Sequence, residues 1–305
     1  MYRKFLIFAA ILTGFASPAY AGDPDHCSLH LATKLDIQYD GANLPTVTAT
    51  FAGKDKKLIV DTGGVYSMLT EAAVTDLGLT KNFNDKQVYM IDGKPLYVVA
   101  IGRDIAIGRL SIPKFYFIVM PDEKLAHNVS GTIAPDILHQ FDVDLDFGGN
   151  KLNLFSHDHC PGKVVYWTDQ GDSKLPFTVD DVNHIAVSAT LDGHSVDVNV
   201  DSGSTVSIMT LTRAEKLFGI KKGDPLLRAI PEQINGLQAY TYPFKSLDLN
   251  GVSVQNPNIL LYENQLGSID TNDVVLGMTV LRRLHLYIAY GEKALYVTPA
   301  NAAKP

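Results

Sequence analysis

The sequence predicts a mainly β chain made of two copies of one unit, and three observations carry that expectation. Apolar and polar residues alternate through both halves, and strong helix signals are few. Residues Pro45 to Thr70 also align without a gap on Ile185 to Thr210, at an offset of 140. The residues shared across that offset are Val47/Val187, Ala49/Ala189, Thr50/Thr190, Gly53/Gly193, Val60/Val200, Asp61/Asp201, Gly63/Gly203, Ser67/Ser207 and Thr70/Thr210.

The chain of 305 residues is long enough for two compact units. With 46% hydrophobic and 19% charged residues it can bury real cores. A net charge of −7 offers no basic footprint for nucleic acid or for an anionic membrane surface. Residues 1–21 read as an export signal. Arg3 and Lys4 form the positive start, Phe5 to Phe15 the apolar stretch, and Ala19-Tyr20-Ala21 the cleavage site. That stretch is short for a membrane span, and no later segment is apolar for long enough. The expectation is an exported protein, periplasmic or secreted, with no stable membrane insertion.

Export leaves two cysteines, Cys27 and Cys160. In an oxidising compartment an even pair points to a disulfide, with two buried thiols as the alternative. The bridge would tie the mature N-terminus to a polar, turn-rich linker at 157–163, which separates a first unit (22–156) from a second (164–305).

Each unit follows one order of elements. Strands Val47-x-Ala49-x-Phe51 and Val187-x-Ala189-x-Leu191 turn at Gly53 and Gly193 and run back to Asp61 and Asp201. A short return strand and one helix follow. In the first unit Thr70 caps a helix from Glu71 to Leu77, stopped by Gly78. In the second, Thr212 and Glu215 form a capping box and Gly219 is the stop. Hairpin turns come next at Ile91-Asp92-Gly93 and Ile234-Asn235-Gly236. Each unit closes on an apolar segment, Ile133-Ala134 or Val275-Leu276-Gly277, then a short helix (Pro135 at its first turn in the first unit) and a strand, 141–147 or 284–290. Strands and helices do not alternate as a parallel α/β sheet requires.

Asp-Thr-Gly and Asp-Ser-Gly after an apolar strand, a flap-like hairpin and the apolar closing segment together resemble the aspartic peptidase superfamily, in its pepsin-like and retropepsin-like members. The resemblance covers nearly the whole mature chain, twice. It implies a bilobal, pepsin-like acid protease fold, mainly β, with two retropepsin-like β-barrel lobes related by a pseudo-two-fold axis. It further implies an aspartic endopeptidase acting on a peptide or protein substrate, with Asp61 and Asp201 as the catalytic pair and no metal or organic cofactor. The duplication removes the need for a dimer, so a monomer is expected.

The chemistry suits such a pair. Two carboxylates about 3 Å apart cannot both ionise freely, so they share a proton. The ionised one takes a proton from water as it attacks a peptide carbonyl, and the protonated one donates to the carbonyl oxygen. Because the pair titrates as a unit, the sequence assigns neither role. Gly63 and Gly203 permit the backbone to approach the carboxylates. The resemblance implies that the Thr62 and Ser202 hydroxyls clamp the two loops together. It also makes the hairpin tips at 91–93 and 234–236 flaps over the substrate. Gly64 stands where the family has Ser, Thr or Ala, and Ala134 where it has glycine, so the first half of the site is expected to be distorted.

Two other functions compete. A pseudo-peptidase of the same fold would bind peptides or envelope components without cleaving them. A phosphate-binding loop of the actin or sugar-kinase type would also use Asp-x-Gly-Gly after a strand, but needs more crossover helices than this chain offers. Local motifs read more plainly. Asp142-Val143-Asp144-Leu145-Asp146 has Phe147 where a calcium loop needs glycine, and its alternation is that of a strand. His157, His159 and Cys160 lack a fourth metal ligand at a recognised spacing. Trp167 is read as a packing residue.

Overall fold

A computed structural model describes residues 27–90, 93–180, 184–234, 236–263 and 272–301. The expected export signal at 1–21 lies outside the described residues. Two lobes each fold one half of the chain into a curled, mostly antiparallel sheet. In the first lobe, strand Pro45–Phe51 pairs along Lys54–Val60 and also with Pro95–Ile107 through Thr50↔Ala106 and Phe51↔Ile105. That second pairing closes the sheet on itself and leaves a barrel-like interior for Val47, Ala49, Phe51 and Phe117.

The second lobe repeats the plan. Ile185–Leu191 pairs with His194–Val200 and closes on Ser246–Leu249 through Thr190↔Asp248. It differs in its long hairpin. The long hairpin of the first lobe, Pro95–Ile107 with Leu110–Met120, is broken in the second into Leu237–Thr241 and Ser246–Leu249, returning as Val252–Gln255 and Ile259–Tyr262. Pro243 and Pro257 sit in the two breaks, where a missing N–H interrupts the ladder.

Helix Glu71–Leu77 starts at Thr70, whose Oγ1 accepts from Ala73 N at 3.2 Å, and ends at Gly78 with φ of 65°. Its counterpart Leu211–Phe218 is capped by Thr210, which accepts from Arg213 N at 3.1 Å, not by Thr212 and Glu215. Thr210 is the 140-offset partner of Thr70, and its extended backbone ends the preceding strand. Thr212 therefore falls inside the first turn, where its hydroxyl cannot cap.

The two halves also share a sheet that spans the expected linker. Six antiparallel strands run in the order Leu31–Asp36, Lys151–Phe155, Asp142–Asp146, Leu284–Ala289, Ala294–Pro299 and Ser173–Val179. The central pairing crosses between halves, with Val143↔Ile288 and Leu145↔Leu286. One face of this platform is apolar and joins the main core through Val143, Leu145, Leu286 and Ile288. The other carries a buried polar row. There Asp144 accepts from Asn153 Nδ2 at 3.0 Å and pairs with His285 Nε2 at 2.5 Å, while Asp142 pairs with His159. Trp167 covers this row, stacked on His285 at 4.0 Å with Nε1 donating to Thr298 at 3.0 Å. Within the stretch expected as a polar linker, His159 is packed, its side chain 2% exposed. Cys27 and Cys160 are joined in a disulfide with Cα atoms 4.8 Å apart, which fastens the start of the described chain beside this row. The bridge also takes Cys160 out of any metal-ligand set.

Candidate active site

Each half delivers its aspartate by the same means. The strand before Asp61, Lys54–Val60, runs parallel to Gly131–Ile133, and Asp61 N donates to Ile133 O at 2.9 Å. In the second half Val200 pairs with Leu276, and Asp201 N donates to Leu276 O at 2.9 Å. The chain then loops back along the far side of the same short strand, through Leu69↔Gly131 and Ile208↔Val275. The aspartates therefore sit on tight loops straddling a central strand in each lobe.

Two serines pin these loops. Ser67 Oγ accepts from Ala134 N at 2.9 Å and donates to Asp136 Oδ1 at 2.6 Å, while Ser67 N donates to Asp136 Oδ2 at 2.8 Å. In the second half Ser207 Oγ accepts from Gly277 N at 3.0 Å, and Ser207 N donates to Thr279 Oγ1 at 2.8 Å. Burial pushes the Asp136 carboxyl up to about 6, against the opposing pull of the Ser67 hydrogen bonds. The serines were visible as repeated residues in the 140-offset alignment without a role. Nothing in the sequence marked Asp136.

Across the axis the loops are bound hydroxyl to backbone. Thr62 Oγ1 donates to Val200 O at 2.8 Å and accepts from Ser202 N at 3.0 Å. Ser202 Oγ donates to Val60 O at 2.6 Å and accepts from Thr62 N at 3.1 Å. Both side chains are buried, so these four bonds form in a site closed to water.

Asp61 and Asp201 meet at this axis, hydrogen-bonded side chain to side chain. Each half's glycine lies against the other half's carboxylate. A Cβ on Gly63 would stand 2.2 Å from Asp201 Cγ, and one on Gly203 would stand 2.3 Å from Asp61 Oδ1. Any side chain there would displace the pair, so glycine is needed for close approach rather than for a turn. Gly203 N donates to Asp201 Oδ1 at 2.8 Å, and the backbone N–H groups of Ser204 near Asp201 and of Gly63 and Gly64 near Asp61 pull those carboxyls down. Burial raises both carboxyls above the usual range. The charge of Asp61 raises Asp201 further.

The two first-half departures prove reciprocal. A Cβ on Gly64 would lie 2.7 Å from Asp61 Oδ2 and 3.3 Å from the Cβ of Ala134. Ala134 fills the space that the bare Gly64 leaves. The second half holds Ser204 and Gly277 at these places, and there a Cβ on Gly277 would meet backbone, 2.2 Å from Val206 O and 2.7 Å from Ser204 O. Ala134 is extended, with φ of −115° and ψ of 178°, so its side chain brings no backbone strain.

Of the residues expected to form flaps, Gly93 sits at the turn between Thr80–Tyr89 and Pro95–Ile107, with φ of 77°, and its N–H donates to Met90 O at 2.8 Å. Gly236 takes φ of 79° after Ile234, the last residue of strand Arg228–Ile234. Ile91, Asp92 and Asn235 lie outside the described residues.

A family model described as "Aspartyl protease" matches residues 47–133 and again 187–280, more than half of the chain. The chain belongs to the aspartyl protease family. Both matched segments begin in the strand before the first turn; the first ends with strand Gly131–Ile133 and the second runs on into helix Met278–Leu281. Among solved structures it is similar to basic 7S globulin from soybean, with a TM-score of 0.51 and 12% identity over 90% of this chain and 96% of that one. It is similar also to the protein titled edgp, with a TM-score of 0.53 and 10% identity over 89% and 96% of the two chains. At such identities the likeness is one of fold, the bilobal pepsin-like arrangement. No curated protein matches the chain.

Proposed function

We propose that this aspartyl protease family member is an exported aspartic endopeptidase in which Asp61 and Asp201 share one proton and activate water. One observation carries the reading. The two halves converge to place two aspartates in hydrogen-bonding contact, on loops whose glycines, hydroxyls and backbone donors all serve that contact. Crowding two carboxylates in a recessed site is costly, and a merely structural cleft gains nothing from it.

In the monoanionic pair, the ionised carboxylate takes a proton from water as the water oxygen attacks the scissile carbonyl carbon. The protonated carboxyl gives its proton to the carbonyl oxygen, which yields a tetrahedral diol. The diol collapses as the C–N bond breaks and the leaving nitrogen receives a proton from the pair. The backbone donors at each carboxylate fix its plane for both transfers. The disulfide Cys27–Cys160 supports an oxidising destination for the chain, in keeping with residues 1–21 as an export signal. Among the described residues no helix is long and apolar enough to cross a membrane.

Cleavage of unfolded protein or a peptide mixture by the mature chain tests this. Asp61→Asn and Asp201→Asn should each lower kcat by several orders of magnitude while circular dichroism stays unchanged. The double variant should be scarcely worse than either single one, because the residues act as a unit. Wild-type turnover by either single variant would sink the dyad. Tight binding of peptides by a wild type that never cleaves them would favour the pseudo-peptidase instead.

A further inference from the structure

In each lobe the central strand beside the aspartate loop buries one side chain in an apolar row, and the two lobes place unlike chemistry there. In the first, Thr132 lies between Gly131 and Ile133, whose carbonyl accepts from Asp61 N. Thr132 pairs with Met68, and Met68 with Ile118, so these three side chains form a row on one face of the sheet. In the second, Val275 pairs with Ile208, and Ile208 with Leu260, which makes the matching row. Thr132 is 7% exposed and Val275 9%, so both places are buried alike. Valine and threonine have nearly the same shape. At this place the lobes differ by a hydroxyl.

That hydroxyl has nothing to bond. Thr132 Oγ1 is buried and has no hydrogen-bond partner among the described residues. Its row is apolar, and so is what packs over it. Val88, Leu96, Ile118 and Met120 form one buried cluster, with Met68 and Met90 packed against it. Val88 and Leu96 face each other near the end of the hairpin expected as a flap, beyond a shift in register after Phe83. The end of that hairpin therefore packs on the face that Thr132 shares with Met68 and Ile118. Burying a hydroxyl without a partner costs free energy, and valine would fill the same place without that cost.

We propose that Thr132 is a specificity-determining residue: once the end of the 80–107 hairpin lifts, its hydroxyl meets the substrate side chain on the first-half side of the dyad and selects one with an apolar body and an uncharged hydrogen-bonding tip, such as tyrosine. The inference rests on the peptidase reading of the site. A side chain seated between that hairpin and the central strand takes the place now filled by Val88 and Leu96. Its body then lies along Met68 and Ile118, and its tip reaches the Thr132 hydroxyl. A threonine hydroxyl both donates and accepts, so it serves a phenol or a carboxamide alike. One hydroxyl among apolar side chains cannot compensate a charge taken from water, so carboxylate and ammonium side chains are excluded. The second half offers only Val275, Ile208 and Leu260 in its row, and a side chain there gains nothing from a polar tip. The preference therefore belongs to one side of the scissile bond.

The test uses matched peptides, built on a sequence that the mature wild type cuts, that carry tyrosine or phenylalanine at each residue flanking the scissile bond. At one flanking position wild type should show a kcat/KM about tenfold higher for tyrosine, the effect of one hydrogen bond, and at the other no such preference. Thr132→Val, which installs the second-half residue, should bring that ratio to about one, and Thr132→Ser should retain it. Thr132→Val should also unfold at a higher urea concentration than wild type, since it removes an unpartnered buried hydroxyl. An equal ratio in wild type and Thr132→Val, or a lower urea midpoint in Thr132→Val, overturns the inference. If wild type cleaves and the ratio ignores Thr132, the hydroxyl has no role and the peptidase reading stands. If no protein cleaves, retention of a random peptide mixture decides. Enrichment of tyrosine over phenylalanine peptides by wild type but not by Thr132→Val means that the peptidase reading fails and the role of Thr132 stands. Equal enrichment by the two proteins sinks both.

Discussion

Thr62→Val is the most direct probe of how the two lobes are joined. Valine keeps the shape of threonine and removes only the hydroxyl. That hydroxyl donates to Val200 O and accepts from Ser202 N at a site where Thr62 is 1% exposed and Ser202 0%. The substitution therefore strands one buried carbonyl and one buried N–H. Each orphaned group costs about 1–3 kcal/mol, which puts the loss at about 2–6 kcal/mol. Against a total stability of about 5–15 kcal/mol this is a large fraction. Thr62→Ser keeps the hydroxyl and should lose about 1 kcal/mol for the missing methyl. Because the clamp sets the separation of Asp61 and Asp201, Thr62→Val should also lower kcat by on the order of a hundredfold, as expected for a misplacement near 1 Å. Urea unfolding and peptide turnover read the two effects. Adding Ser202→Ala should give less than the sum of the single changes, with a coupling of about 0.5–3 kcal/mol, since all four bonds belong to one network. Equal stability of Thr62→Val and Thr62→Ser, within about 0.5 kcal/mol, would refute the reasoning that the hydroxyl bonds hold the lobes.

The reciprocal fit of Gly64 and Ala134 predicts that Gly64→Ser alone lowers kcat, because its Cβ meets both Asp61 and Ala134. Gly64→Ser with Ala134→Gly, which copies the second half, should recover much of the loss in the same turnover assay. Asp136 has a folded value of about 6, above that of an unfolded aspartate, so its contribution to stability is fully present below about pH 4 and is lost as the pH rises through 6. Relative to Asp136→Asn, the wild type should therefore lose stability between pH 4 and 7, by at most about 3 kcal/mol in urea titrations. The disulfide closes a sequence separation of 133 residues, so Cys27→Ser should cost about 2–4 kcal/mol, and reductant should lower the stability of wild type but not of the variant.

The sequence by itself determined the duplication, and with it most of the site. A gapless offset of 140 carried Asp61, Gly63 and Ser67 onto Asp201, Gly203 and Ser207, and local alternation marked the strands that deliver them. These signals survive in one dimension because tight turns, period-two burial and an aspartate at a strand end are all local requirements. The offset also held the correct helix cap, Thr210 opposite Thr70, which local capping-box grammar displaced by two residues.

Only the tertiary structure decided what the residues meet across the chain. The six-stranded platform joins strands from both halves, so its polar row pairs Asp144 with His285, 141 residues apart, by a register that no local pattern encodes. Burial of His159 in the expected linker follows from that row and from the bridge to Cys27. Gly64 and Ala134 looked like two defects because each was compared separately with the family's usual residue. They are one packing solution, since their Cβ positions compete for the same space beneath Asp61. The crossing of Gly63 onto Asp201 and Gly203 onto Asp61 has the same origin: contacts at a pseudo-two-fold axis form between the halves, and a sequence lists each half only with itself.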